Sequence, residues 1–166
     1  MRYLYFYVGT NVSFGYSQSI TSKRPTILFR STGQPESELT GGTYRCFPAR
    51  GDFTVTNPDH WIFNGTGAKK GSTYDSILGP EVDGANTSTP RLKILASSFT
   101  RCGKKTKTYA SFSIMTDPSG ARTVNVGTMG WALRGFKQST SERTRTFVQR
   151  VTDNLLTAAT QPGLGH

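Results

Sequence analysis

The sequence predicts a mainly β protein with a sandwich-like or barrel-like β domain and one amphipathic helix at its end. Short runs of β-branched and aromatic residues alternate with Gly, Pro, Asn and Asp turn residues along most of the chain. The 166 residues include 18 Gly, and stretches of helix-forming residues are sparse. Apolar residues recur at helical spacing only from Ser139 onward. A chain of this length suits one domain with a full core.

The N-terminal region is predicted to contain three strands. Arg2–Val8 is apolar on both faces, as are strands buried inside an α/β sheet. Asn11–Gln18 and Pro25–Arg30 are the second and third candidates. The polar loop Ser31–Gly42, with turn residues at both ends, is the best internal boundary.

Six short runs after this loop are predicted to be strands of the β domain. They read TYRCF, DFTVT, WIFNG, LKILASSF, TYASFSIMT and RTVNVGTM. The connection Asp117–Gly120, DPSG, predicts a tight hairpin because Pro presets φ and Gly accepts a positive φ. Alternation along these runs predicts one interior that contains Trp61, Phe63, Ile94, Phe112, Ile114, Val124 and Val126. Trp131 is either a lid over a pocket or a plug at the end of the sandwich, and we favour the plug.

The last predicted element is a helix of about four turns. Its apolar stripe consists of Phe147, Val148, Val151, Leu155 and Leu156. Ser139 and Glu142 form a capping box at its start, and Pro162 with Gly163 ends it. Arg143, Arg145 and Arg150 lie on the opposite face, which is either a solvated surface, the reading we favour, or an anion-binding one.

The formal net charge of +10 permits an anionic partner such as nucleic acid, an acidic membrane surface or an acidic subunit. Lys104, Lys105 and Lys107 join the three helix arginines as candidate anion-binding or partner-binding residues. No apolar run reaches the roughly 18–20 residues that span a membrane. The N-terminus lacks the pattern of a signal peptide, which favours a cytoplasmic location. Cys46 and Cys102 form either a disulfide or two free thiols.

Candidate catalytic residues lie in two motifs. Asp59 and His60 in NPDHWIF, with Glu81 and Asp83 in GPEVDG, could form a hydrated cation site or a His–carboxylate acid–base pair. The structural alternative is an Asx-Pro turn that leads into a strand, and a second turn between glycines, and we favour it. The sequence contains no HExxH, GxSxG or P-loop motif.

Several motifs in fixed order carry a family resemblance. They are ELTGG, FTVTNPDHWIFNGTGAKKG, ILGPEVDG, LKILASS, DPSGARTVNVGTMGWA and VQRVTDNLL. Together, from about Glu38, they resemble the C-terminal region of the N,N-dimethylformamidase large (beta) subunit family. The earlier YLYFYVGTNVSF looks like the end of the glutamine-amidotransferase-like α/β domain that precedes this region in the family.

The resemblance implies a division of the chain and a chemistry. Residues 1–37 would be strands from an α/β-type sheet remnant, 38–138 the β domain, and 139–166 a helix and tail that packs on the N-terminal strands. Family enzymes hydrolyse a linear amide with a mononuclear iron bound by tyrosine and glutamate side chains, where the metal lowers the pKa of bound water. Ser13-Phe14 replaces an aromatic pair of the relatives and removes a possible phenol ligand. Tyr16 and Glu38 are the remaining metal-ligand candidates.

Three functions follow as expectations. The favoured one is a β-rich binding or assembly module that is not catalytically sufficient alone. The second is an amide hydrolase whose metal site is completed by partner chains, so that iron binds only in the assembly and the isolated chain has no cofactor. The third is a basic nucleic-acid or ribonucleoprotein-associated protein. The contact with other subunits, or with a second copy, is expected at Arg2–Val8 or Phe147–Leu156.

Overall fold

A computed structural model describes residues 4–7, 35–103 and 106–160, with the backbone alone at 4–7 and 106. The strands are β1 Leu4–Tyr7, β2 Gly42–Cys46, β3 Ala49–Thr54, β4 Thr73–Leu78, β5 Val82–Ala85, β6 Leu92–Cys102, β7 Thr106–Thr116 and β8 Arg122–Asn125. The helices are α1 Ser37–Thr40, α2 Gly130–Arg134 and α3 Glu142–Thr160, with a 3-10 helix at Trp61–Phe63.

The strands form two sheets, which confirms the predicted mainly β class. The larger sheet has the order β1-β8-β7-β6-β3-β4, and β2 pairs with β5 in a separate two-stranded ribbon. Within the described residues the larger sheet stays open, because β1 and β4 lie at its two edges. β1 runs parallel to β8, whereas the other strand pairs of the described chain are antiparallel. The ribbon packs on the larger sheet through β5 and β7.

The core contains a cluster of six aromatic rings contributed by sheet and helices. Phe53 lies 5.5 Å from Trp131 and 5.7 Å from Phe147 between ring centroids. Phe63, Tyr74 and Phe112 complete the cluster. Of the predicted interior residues, the buried ones are Phe63, Phe112, Ile114, Val124 and Val126. Trp131 is buried as well and therefore plugs the core, as the favoured reading predicts.

The prediction of a strand at Trp61–Phe63 is wrong. These residues form the 3-10 helix, in which Ile62 and Phe63 are both buried and Trp61 is partly exposed. Two strands were missed because their burial does not alternate. In β4, Ser76 has a positive φ of 57° that interrupts the pattern, and all four residues of β5 are buried.

A bulge in β6 corrects a second core prediction. The register with β7 shifts between Ile94 and Ala96. Such a bulge inserts one residue and reverses which side chains face inward beyond it. Leu95 is consequently fully buried, whereas Ile94 is only partly buried.

The C-terminal helix is confirmed, with corrections to its start and its length. Its cap is Ser141 and not Ser139, since Ser141 Oγ accepts a hydrogen bond of 3.4 Å from Thr144 N. At 19 residues it is longer than predicted, and Pro162 and Gly163 lie outside the described residues. It packs against β4 and the 3-10 helix, at the sheet edge opposite β1. The N-terminal strands on which it was expected to pack lie outside the described residues, apart from the backbone of residues 4–7.

The apolar stripe of α3 belongs to the core of the chain itself. Phe147, Val148, Val151 and Leu155 are buried, and only Leu156 is exposed. The chain itself therefore covers most of the segment Phe147–Leu156, at which a contact with other subunits was expected. Of the other predicted contact segment, Arg2–Val8, only the backbone of residues 4–7 is described, and the predicted strands at 11–18 and 25–30 lie outside the described residues.

The connections between strands follow from the turn residues that they contain. The hairpin between β7 and β8 is confirmed, with Asp117 Oδ1 accepting from Ser119 N at 2.8 Å. Part of the polar loop at 31–42 forms the short helix α1.

A disulfide joins Cys46 to Cys102, so that, of the two predicted alternatives, the cysteines are paired and are not free thiols. No helix among the described residues is long and apolar enough to cross a membrane.

Candidate functional site

Two buried carboxylates lie where β5 begins. Glu81 precedes β5 and Asp83 lies within it, and each has a relative exposure of 6%. The predicted turn between glycines at this motif is thus wrong, because Val82–Ala85 is a strand. Tyr44 of β2 pairs with Asp83 across the ribbon. Asn125 of β8, which is fully buried, forms a side-chain hydrogen bond with Asp83.

Backbone hydrogen bonds fix the main chain at both acidic residues. Asp83 N donates to Gly127 O at 2.9 Å, and Met129 N donates to Glu81 O at 3.3 Å. The hydroxyl of Thr128, also buried, lies 3.2 Å from the same Glu81 carbonyl. The segment after β8 therefore clamps the backbone on both sides of the acid pair.

The environment of the acid pair raises the pKa of Asp83 to about 6. The largest cause is burial, which disfavours the charged form, and the neighbouring Glu81 carboxylate adds to it. The hydrogen bond from Asn125 and the charge of Arg45 act in the opposite direction. Burial and the two carboxylates also raise the pKa of the Tyr44 phenol.

Two glycines make room for the polar side chains around Asp83. A Cβ at Gly42 would collide with Asn125 Nδ2, and a Cβ at Gly84 would collide with Arg45 Nε. Arg45 Nη2 donates to Ala85 O at 3.2 Å across the ribbon. A glycine inside a strand often marks such a close approach. Here the Asn125 amide reaches the carboxylate, and the charge of Arg45 lies close enough to lower the pKa of Asp83.

This arrangement, which we call the carboxylate cluster (Tyr44, Glu81, Asp83 and Asn125), has both a chemical and a structural capacity. A carboxyl that titrates near pH 6 can accept a proton and return it at neutral pH. The same hydrogen bond from Asn125 also anchors the ribbon to the larger sheet. Ser113, which pairs with Asn125 across β7 and β8, is buried, and its hydroxyl has no hydrogen-bond partner among the described residues.

His60 lies in a different cleft. Its lining comprises Asp59, His60, Trp61, Lys93, Ile114, Thr116 and Arg122. His60 Nδ1 accepts a hydrogen bond of 3.4 Å from Ile62 N and so caps the 3-10 helix. Burial, followed by the charges of Lys93 and Arg122, lowers the pKa of His60 to about 4. The imidazole is therefore neutral at pH 7 and acts as an acceptor at a turn.

The structure does not bring the four predicted catalytic residues together. Asp59 and His60 share one cleft, and Asp59 is exposed there. Glu81 and Asp83 form a separate cluster, in which burial and then the Glu81 carboxylate raise the pKa of Asp83. The pKa of His60 is lowered by burial and by the charges of Lys93 and Arg122.

The structure describes one of the two metal-ligand candidates that follow from the family resemblance. Glu38 is exposed on α1, and Tyr16 lies outside the described residues. In the part of the chain that the structure describes, no group of three or more His, Cys, Asp or Glu side chains could hold a metal ion.

The predicted partner-binding residues are dispersed. Arg143 lies 5.0 Å from the Tyr74 ring centroid, and Arg145 Nη1 donates to Thr140 O at 2.6 Å. Arg150 is exposed and packs beside Gly65. Lys107 lies on the sheet, 5.9 Å from the Phe99 ring centroid. Lys104 and Lys105 lie outside the described residues.

Sequence reasoning missed Tyr44 and Asn125 as members of the cluster. They come from β2 and β8, about 40 residues to either side of Asp83 in the chain, and no local spacing joins them. The one signal in the sequence was Gly84, because a glycine inside a strand often marks a site where another group approaches the backbone closely.

Comparison with known protein families finds a match that covers most of the chain. A family model described as N,N-dimethylformamidase beta subunit-like, C-terminal, matches residues 11–137, which is most of the chain. The match contains β2 to β8 and the complete carboxylate cluster, and it ends before α3. No curated protein matches the chain.

Proposed function

The chain belongs to the N,N-dimethylformamidase beta subunit-like, C-terminal family, and from this premise we propose that it is a β-rich binding and assembly module. In this proposal it acts as part of an amidohydrolase-type subunit and is not sufficient for amide hydrolysis alone. The substrate of the assembly would be a linear amide, as the family description suggests. The chain contributes a rigid domain and one pair of buried carboxylates.

The separation of the ionisable groups is the observation that supports this function. Amide hydrolysis needs an activated nucleophile, a proton donor for the leaving amine and a group that stabilises the oxyanion. The described chain offers the Glu81–Asp83 pair in one place and a neutral His60 in another. Neither place combines the three roles, so the remaining groups would come from other parts of the protein or from partner chains.

A second candidate function is amide hydrolysis at a site that partner chains complete. The raised pKa of Asp83 favours it, since perturbed carboxyls are frequent at catalytic sites. In this case Asp83 would hold a proton and transfer it at a carboxyl oxygen, while burial, with the Glu81 carboxylate as the smaller cause, keeps its pKa high. Asn125 would orient the carboxyl through its amide.

Activity measurements on the isolated chain and on the assembly test the proposed function. We expect the purified chain, with or without added ferrous iron, to hydrolyse N,N-dimethylformamide no faster than buffer does. The assembly purified from the source organism should hydrolyse a linear amide. Turnover by the isolated chain that disappears in Asp83→Asn would overturn the assembly-module function and establish a self-sufficient hydrolase.

The second candidate function requires a variant within the assembly. Asp83→Asn keeps the shape and the contact with Asn125 but removes the titrating carboxyl. Asp153→Asn, an exposed position on α3, is the matched control. A loss of about 100-fold or more in kcat for Asp83→Asn alone, typical for removal of an acid–base group, is expected if Asp83 carries the proton. Unchanged kcat with intact assembly would leave the carboxylate cluster a purely structural role.

A further inference from the structure

Three cations lie side by side across one exposed end of the six-stranded sheet. Arg50 of β3 pairs directly with Arg101 of β6, and Arg101 pairs directly with Lys107 of β7. All three side chains are exposed. Like charges placed directly opposite each other in an antiparallel pair destabilise the sheet. The row therefore has an energetic cost that an anionic partner would offset.

Two aromatic rings lie beside this row on the same face. Phe99 and Tyr109 pair across β6 and β7, and they are 47% and 58% exposed. Their centroids are 5.9 Å apart at an angle of 78°, and Lys107 Nζ lies 5.9 Å from the Phe99 centroid. Exposed aromatic and arginine side chains are the residues that protein interfaces enrich. We call this surface the cation–aromatic face (Arg50, Phe99, Arg101, Lys107 and Tyr109).

The face continues into a groove of about 890 Å³. Phe99, Arg50 and Arg101 line its near side, and the α2–α3 connection lines its far side. The charged residues of the groove are Arg50, Asp52, Asp75, Arg101, Arg134 and Lys137. Arg134 is held in place, because its Nη1 donates to Leu78 O at 3.3 Å and to Ser76 O at 3.4 Å. The groove is thus mainly cationic but contains two carboxylates.

The mixed charges decide between the possible occupants. A second copy of the chain, which carries a net charge of +10, would place like charges against the face. A phosphate backbone carries negative charge alone and would meet Asp52 and Asp75. A protein segment can place carboxylates on the cation row, apolar atoms on Phe99 and Tyr109, and neutral or basic groups beside the two aspartates.

We propose that the cation–aromatic face docks a predominantly acidic protein segment of a partner subunit. This inference rests on the assembly function proposed above and names the partner chemistry and the surface. Interface energy concentrates in a few aromatic and arginine side chains. Arg101 is the central one, because it lies between Arg50 and Lys107 in the row.

Arg101→Glu is the decisive variant. It reverses the charge at the centre of the face, and it creates opposite-charge pairs with both Arg50 and Lys107, which should leave the thermal midpoint unchanged or raise it. Arg91→Glu is the matched control, with the same charge change at an exposed position just before β6, at the opposite end of the strand from Arg101. Phe99→Ser is a second variant, which removes a ring without changing the charge.

The measurement is native mass spectrometry of each tagged chain, expressed in the source organism and purified after nuclease treatment. We expect the wild-type chain to carry a protein partner with an acidic segment. Arg101→Glu and Phe99→Ser should reduce the partner-bound fraction about tenfold, as loss of 1.4 kcal/mol would. Arg91→Glu should change it less than twofold.

Each other outcome overturns the inference in a different way. If Arg101→Glu and Phe99→Ser still bind the partner, the cation–aromatic face is not the docking surface, but the proposed assembly function is unaffected. If the wild-type chain binds no partner, both the docking surface and the assembly function are contradicted. Equal loss in Arg101→Glu and Arg91→Glu would indicate attraction by net charge alone. Binding that nuclease abolishes, together with tight binding of a 20-nucleotide oligo-dT, would identify nucleic acid as the occupant.

Discussion

Tyr74 of β4 and Phe147 of α3 stack with their ring centroids 3.6 Å apart and their planes 14° apart. Both are buried. This contact joins the C-terminal helix to the sheet at a distance of 73 residues along the chain (Tyr74 to Phe147). It therefore holds α3 as an integral part of the fold.

Truncation of this stack should destabilise the whole domain. Phe147→Ala removes a buried ring that also contacts Phe53 and Trp131, so we expect a loss of about 3–5 kcal/mol in the free energy of unfolding. Urea denaturation monitored by circular dichroism measures it. Leu156→Ala, at an exposed position on the same helix, is the control and should cost below about 1 kcal/mol. Similar losses at both positions would mean that α3 is not anchored by this stack.

The two tryptophans should differ in their contributions. Trp131 is buried and its Nε1 donates to Thr152 Oγ1 at 3.2 Å, so Trp131→Ala should cost about 3–5 kcal/mol. Trp61 is partly exposed, and Trp61→Ala should cost no more than about 2 kcal/mol because less apolar area is lost. Chemical denaturation of both variants compares them. A larger loss at Trp61 would show that the 3-10 helix carries more of the core than its burial indicates.

Asp83 should make stability fall as pH rises between about 4 and 6. Its pKa is raised from 3.8 to about 6 in the folded state, so the folded protein binds more protons than the unfolded chain in this window. The stabilisation is complete below pH 3.8 and disappears as pH rises through about 6, with a total near 3 kcal/mol. Asp83→Asn should abolish this component, as urea titrations at several pH values would record. An unchanged pH profile would place Asp83 in a solvated environment.

His60 should act with the opposite sign over an overlapping range. Its pKa is lowered from 6.5 to about 4 in the folded state, so its contribution is complete above pH 6.5 and is lost as pH falls through about 4. In the wild type the two slopes partly cancel. His60→Gln should therefore reveal the stabilisation by acid that Asp83 causes, and Asp83→Asn should reveal the destabilisation by acid that His60 causes. NMR titration of the His60 ring is the direct check, and a pKa near 6.5 would contradict this prediction.

The disulfide should stabilise the fold chiefly through the unfolded state. Cys46 and Cys102 are 56 residues apart in sequence, and closing a loop of this size removes entropy from the unfolded chain. We expect Cys46→Ser with Cys102→Ser to cost about 2–4 kcal/mol. Thermal denaturation with and without dithiothreitol measures it, and the double variant should be insensitive to the reductant. A wild type equally insensitive to reductant would contradict a contribution of this size.

Local patterns in the sequence determined much of this architecture. The Asp117–Gly120 turn was predictable because Pro and Gly restrict φ within four residues. The helical repeat from Phe147 to Leu155 was predictable because its period of 3.6 is a property of neighbouring residues alone. Alternation likewise predicted the burial of Phe112 and Val124. Ordered motifs also identified the family, independently of any three-dimensional contact.

Tertiary structure decided the features that depend on pairing between distant segments. The bulge that buries Leu95 in place of Ile94 arises from the register of β6 against β7. The 3-10 helix at Trp61–Phe63 forms where the chain packs under α3, which overrides the local preference for a strand. Short-range propensities differ by at most about 1 kcal/mol per residue, and burial of a large side chain outweighs them.

The candidate site shows the same division. Glu81 and Asp83 were recognisable as candidates because they lie close together in one motif, whereas their separation from His60 was not visible in the sequence. The acidity of Asp83 depends on burial by the β2–β5 ribbon and on Asn125 of β8. The residue types were thus readable from the chain, but the electrostatic environment that perturbs them exists only after three distant strands have packed together.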